Sequence, residues 1–76
     1  MQAGVQLLDV RTPGEFNFKQ MSRAINIPLP EIRDAVKSLD QGKEYITVCR
    51  TGRRAAAAAF ILAQRGFAVA MVSAER

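Results

Sequence analysis

With 76 residues, 49% of them apolar, the chain has the make-up of one small globular domain and not of a disordered segment. One cysteine and no histidine exclude an internal disulfide, a cysteine-based zinc site and any Cys-His or Ser-His-Asp arrangement, so neither metal nor cofactor is expected. The net charge of +4 comes with one Tyr and no Trp, and arginines concentrate at 50, 53, 54 and 65, which suits a small anionic ligand better than nucleic acid.

Val5–Val10 is a short apolar run that fits a buried parallel strand. Thr12 then offers an N-cap, Pro13 a first helical residue and Glu15 the far side of a capping box, so a short helix is expected over Pro13–Lys19. Arg11 and Glu15 are expected to pair and order that helix. Ala24–Ile27 reads as a second strand, closed by Pro28-Leu29-Pro30. A helix from Pro30 or Glu31 to about Leu39 would put Ile32, Val36 and Leu39 on one face. Asp40-Gln41-Gly42-Lys43 is a turn signal, and Tyr45–Val48 a third strand. After Cys49-Arg50-Thr51-Gly52-Arg53-Arg54 comes an alanine-rich helix, Ala55–Gln64, in which Phe60, Ile61 and Leu62 are expected to pack. Gly66 suits the position just past its end and Arg65 the negative end of its dipole. Phe67–Val72 is the fourth strand.

Strands separated by helices predict an α/β fold, a small doubly wound parallel sheet of about four strands with right-handed crossovers. Ligands bind such sheets at the carboxyl ends of the strands, where Asp9 and Cys49 both fall. The chain reads as clipped at both ends, with no helix before the first strand or after the last. Residues 1–76 are therefore expected to be one domain of a longer chain. One sheet face and Val69–Val72 would be poorly covered, to be hidden by a fused or associated domain or by self-association. Ala55–Ala63 is about half a membrane span and poor in large residues, so no membrane role is expected. The start of the chain lacks a signal-peptide pattern, and a lone cysteine suits the reducing cytoplasm.

Cys49 carries the chemistry. A thiol at a strand's end, followed by a tight turn into a helix, faces backbone N–H groups at the positive end of the helix dipole. Arg50, Arg53 and Arg54 add positive charge, and together these favour the thiolate, which is the nucleophile. A buried structural cysteine is the plainer alternative. Gly52 fits a positive φ or a close backbone approach. A single carboxylate, Asp9, is expected to be structural, accepting from loop N–H groups or pairing with an arginine.

Leu7-Leu8-Asp9-Val10-Arg11, Glu15-Phe16, Ala24-Ile25-Asn26-Ile27-Pro28-Leu29 and the Cys-x-x-Gly-x-Arg loop at 49–54, with Gly66-Phe67 closing the helix, resemble the single-domain rhodaneses (thiosulfate sulfurtransferases) over about residues 5–72. The resemblance implies a sheet ordered Val69–Val72, Ile46–Val48, Leu7–Val10, Ala24–Ile27. It implies that Cys49 takes the outer sulfur of thiosulfate or a related donor as a persulfide and passes it to cyanide or a thiol. Residues 50–54 (Arg50, Thr51, Gly52, Arg53 and Arg54) would bind the anionic donor, Arg50 and Arg54 foremost, with Asp9 and Arg11 in support. The chain departs from the family at Lys19–Arg23, where Gly-His-Ile-Pro-Gly is common, and it has no Gly-Gly-rich segment after the last strand. Cysteine phosphatases use Cys-x5-Arg, but the arginine would fall at Ala55. The non-enzyme alternative is a rhodanese-fold module that binds a partner or senses oxidants through Cys49.

Overall fold

A computed structural model of the chain describes residues 4–19 and 23–73. Four strands, β1 (Val5–Asp9), β2 (Ala24–Asn26), β3 (Glu44–Cys49) and β4 (Ala68–Ser73), form one sheet in the order β2-β1-β3-β4. Every neighbouring pair is parallel, and Leu8 lies beside Ile25 and Thr47, Cys49 beside Ser73. This is the strand order that the resemblance implied, with β1 and β3 central.

The first helix, α1 (Pro13–Phe18), starts as its sequence dictates. Thr12 Oγ1 accepts from Glu15 N at 3.3 Å, and Glu15 Oε1 accepts from Thr12 N at 2.9 Å. The second helical stretch differs from the expectation of one helix. A 3-10 turn at Leu29–Glu31, one α-helical turn α2 (Ile32–Ala35) and a second 3-10 turn at Val36–Ser38 replace it. No side chain caps this stretch, and so short a segment tightens at its ends into 3-10 geometry. Its apolar spacing still works: Ile32 is fully buried, with Val36 and Leu39 packed on the same core.

The long helix α3 spans Arg53–Gln64, two residues earlier than expected, and β3 runs one residue further, to include Cys49. Ala55 and Ala58 are completely buried, so the small side chains do bring α3 close to the sheet. Ile61 and Leu62 join that core, whereas Phe60 points outward and is 64% exposed. At 100° per residue it falls off the face that Ala55, Ala58 and Leu62 share. α3 ends in a full Schellman motif: Gly66 (φ +88°) donates to Ala63 O and Phe67 to Leu62 O. Leu8, Ile32 and Leu62, each fully buried, contribute about 1.5–3 kcal/mol apiece.

Right-handed crossovers put α2 and α3 on one sheet face and α1 on the other. The α1 face is thinly covered. Helix α1 has no buried residue, Val5 and Val72 are exposed, and only one residue of β4, Val69, is even half-buried. A cavity of about 470 Å³ opens among Val5, Glu44, Ile46, Ala68 and Ala70, at the opposite end of β3 from Cys49. Residues 20–22 of the divergent Lys19–Arg23 stretch lie outside the described residues. Arg23 has φ +67°, a left-handed conformation that glycine takes freely.

Candidate active site

The central strand β3 delivers Cys49 to the carboxyl edge of the sheet, and the chain then turns directly into α3. The Cys49 sulfur accepts from Gly52 N at 3.1 Å and from Ala55 N at 3.2 Å. Gly52 is the N-cap of α3 and carries no capping side chain, and Ala55 is the third helical residue. The sulfur thus does what a Ser or Asp side chain does at an ordinary N-cap, satisfying an N–H that the helix leaves orphaned. Two backbone donors converge on that atom at the N-terminal end of α3. Of residues 50–54, expected to bind the anionic donor, Gly52 reaches the sulfur through its N–H; the second N–H donor, Ala55, lies outside that window. The clue available in the sequence was the glycine itself, a helix start with no cap of its own.

Gly52 takes the positive φ, the first of the two alternatives, and the nearest atoms to a Cβ there are side-chain atoms at ordinary contact distance. Its φ is +91°, and a Cβ there would lie 3.4 Å from Ser73 Cβ. Ser73 Oγ donates to Arg50 O at 2.9 Å, tying the loop to β4. Thr51 Oγ1 stands 3.5 Å from Arg53 N, a long contact within the loop.

The three arginines have separate environments. Because α3 begins at Arg53, Arg53 and Arg54 sit in its first turn, where positive charge opposes the macrodipole. Arg54 is answered by Glu15 of α1: Nη1 donates to Oε1 at 2.8 Å and Nη2 to Oε2 at 3.1 Å. These bonds from Arg54, with those from Thr12, lower the Glu15 carboxyl to about 2. The Arg54 guanidinium is raised above its ordinary value, chiefly by its hydrogen bonds to Glu15. Arg50 and Arg53 are exposed, and among the described residues neither side chain makes an ion pair.

The expected Arg11–Glu15 pair does not form. Arg11 turns back on Asp9 instead, with Nε 2.9 and 3.0 Å from its two oxygens and Nη2 2.6 Å from Oδ2. The reason is burial. Asp9 is completely buried, so its carboxylate has the greater need of a cation, and Arg11 N also donates to it at 3.0 Å. Arg11 Nη2 reaches on to Lys19 O at 2.7 Å, and Asn26 Nδ2 donates to Asp9 O and Arg11 O. Asp9 is thus the structural acceptor its lone carboxylate suggested, holding the β1–α1 connection. Glu15 was missed as a site residue because Arg11, four residues away, looked the nearer partner.

Residues 1–74 match the family model of the rhodanese-like domain. The chain belongs to the rhodanese-like domain family. It is 33% identical over 61 residues to YtwF of Bacillus subtilis, which its name places among the sulfurtransferases; the match covers 80% of this chain and 59% of that protein. It is 31% identical over 62 residues to the thiosulfate sulfurtransferase PspE of Escherichia coli, covering 79% and 60%. The crystal structure of a rhodanese-related protein from Thermoplasma volcanium superposes with a TM-score of 0.84 at 39% identity, covering 91% of this chain and 69% of that one. The rhodanese-like chain spans about three-fifths of the length of these two curated relatives. No helix among the described residues is long and apolar enough to cross a membrane.

Proposed function

We propose that this rhodanese-like domain moves sulfane sulfur from thiosulfate, or a related anionic donor, to cyanide or a thiol through a persulfide on Cys49. The observation that carries the reading is the pair of backbone N–H groups, from Gly52 and Ala55, directed at the Cys49 sulfur. In the first half-reaction the thiolate attacks the outer sulfur of thiosulfate. The Cys49 S–S bond forms as the S–S bond of the donor breaks, and sulfite leaves with the electron pair. In the second, cyanide takes the outer sulfur as thiocyanate and the Cys49 thiolate returns. The same N–H groups that hold the thiolate are suited to hold the anionic persulfide. Arg50 and Arg53, exposed and without a carboxylate partner among the described residues, are suited to attract the doubly charged donor and to ease the departure of sulfite. The lone cysteine fits a reducing compartment, and we assign the domain to the cytoplasm on that ground.

A phosphatase reading finds no support: Ala55, where that chemistry needs its arginine, is completely buried. One observation does favour the non-catalytic module. Cys49 is itself completely buried, so a donor reaches its sulfur only when the structure around it opens. Thiocyanate release from thiosulfate and cyanide separates the two readings. Turnover by the native chain and none by Cys49→Ser is the expected result. No turnover by either would leave the binding module.

A further inference from the structure

The Glu15–Arg54 pair joins two segments 39 residues apart, α1 and the first turn of α3. Both of its bonds are made by a planar fork, the geometry that fixes a guanidinium in orientation as well as in place. Glu15 is in turn fixed by its own helix, because Oε1 also accepts from Thr12 N at 2.9 Å and lies 3.1 Å from Thr12 Oγ1. On the other side of the pair, Arg54 directly precedes Ala55, whose N–H points at the Cys49 sulfur, and the Ala55 carbonyl accepts from the buried Thr47 Oγ1 at 2.8 Å. Two cations in the first turn repel each other and oppose the helix dipole, so this turn is unfavourable by itself. It is held from outside, by Glu15 on one flank and Thr47 on the other.

We propose that Glu15 is a positioning residue for the sulfur chemistry: by gripping Arg54 at two points it fixes the first turn of α3, and with it the N–H groups aimed at Cys49. The inference rests on the sulfur-transfer reading for its activity readout, and a second readout is independent of that reading. Glu15 does not touch the sulfur; its two bonds to the Cys49 loop both go to Arg54. It acts through Arg54, which carries no free choice of orientation while the pair is intact. Of the three arginines near Cys49, Arg54 is thereby assigned to placement, leaving Arg50 and Arg53 to meet the donor.

Glu15→Gln is the informative change, since glutamine also serves in a capping box while lacking the charge that grips Arg54. Turnover of thiosulfate and cyanide by Glu15→Gln should fall about tenfold in kcat with little change in KM, as expected for slightly misplaced reacting groups. Alkylation of Cys49 by iodoacetamide, read at about pH 9.5 where an ordinary thiol is ionised, should instead rise several-fold, because burial of the sulfur depends on the turn that has been loosened. Both effects should vanish when Glu15→Gln is made in an Arg54→Gln background. Equal effects in both backgrounds would mean that Glu15 acts independently of Arg54, and would overturn the proposal. So would an unchanged pair of rates, or a rise in kcat, which would make the pair a lid. If the native chain turns over no thiosulfate, the sulfur-transfer reading fails by itself, and the alkylation cycle still decides the part played by Glu15. Should Glu15→Gln not fold, Arg54→Lys keeps the charge but not the fork; the same two shifts are expected, and their absence would equally overturn the proposal.

Discussion

At the residue scale, the β1–α1 connection rests on a buried ion pair. Asp9 is fully buried and is matched by Arg11 at 2.6 Å, with a further bond from Arg11 N. Arg11→Met would leave that carboxylate without its cation, at a cost of roughly 3–5 kcal/mol, the range for breaking one side of a buried pair. A domain with so small a core has only about 3–5 kcal/mol to lose, so the variant should be largely unfolded in water by circular dichroism. A native-like spectrum would mean that Asp9 is held by its neighbours without Arg11. Arg23 gives the opposite prediction. Its φ of +67° costs a residue with a side chain about 1–2 kcal/mol, while glycine adds about 0.5–1 kcal/mol of chain entropy to lose, so Arg23→Gly should stabilise by about 0.5–1 kcal/mol in urea unfolding. The sequence hinted at this position, since related chains favour glycine there, but the left-handed backbone becomes visible only in the structure. The local signals at Thr12, Glu15, Gly52 and Gly66 were legible because each reflects a single residue's capping or φ requirement. The partner of Glu15 was not, because pairing across 39 residues depends on how α1 and α3 meet.

At the element scale, the first turn of α3 goes against local preference: arginines at 53 and 54 where the dipole favours acids. Such conflicts mark functional sites. Reading the loop from its arginines placed the helix start at Ala55, whereas the orphan N–H groups and the sulfur cap draw it back to Arg53. The Glu15–Arg54 pair that offsets the conflict has a definite acid signature. Glu15 titrates at about 2 in the folded chain against an ordinary 4.5, so the pair's contribution is fully present above about pH 5 and is lost as pH falls toward 2. Urea midpoints should therefore fall across that window in the native chain and fall less in Glu15→Gln. The difference should shrink in high salt, because both side chains are more than a third exposed. Parallel curves for the two proteins would show that the pair adds nothing to stability. The second helical stretch shows the limit of periodicity. Ile32, Val36 and Leu39 were correctly aligned with the core, yet spacing alone does not distinguish a continuous helix from one α-turn between two 3-10 turns.

At the scale of the whole molecule, alternation of strands and helices implied a parallel α/β sheet, and the rhodanese resemblance supplied its order, β2-β1-β3-β4. That order sets Asp9 and Cys49 on neighbouring central strands at one edge, where the Asp9 network steadies α1, and α1 presents Glu15 to the loop of Cys49. The thin covering of the α1 face also agrees with the run of elements, since no other helix among the described residues lies on that side. What the sequence withheld was the depth of Cys49, because burial of a strand's last residue depends on the loop that folds over it. Under the proposed function this buried sulfur accepts and surrenders a sulfur atom. Intact mass of the native chain after thiosulfate, and again after cyanide, tests it most directly. A gain of one sulfur atom at Cys49 that cyanide removes is expected; an unchanged mass after thiosulfate would refute sulfur transfer through Cys49.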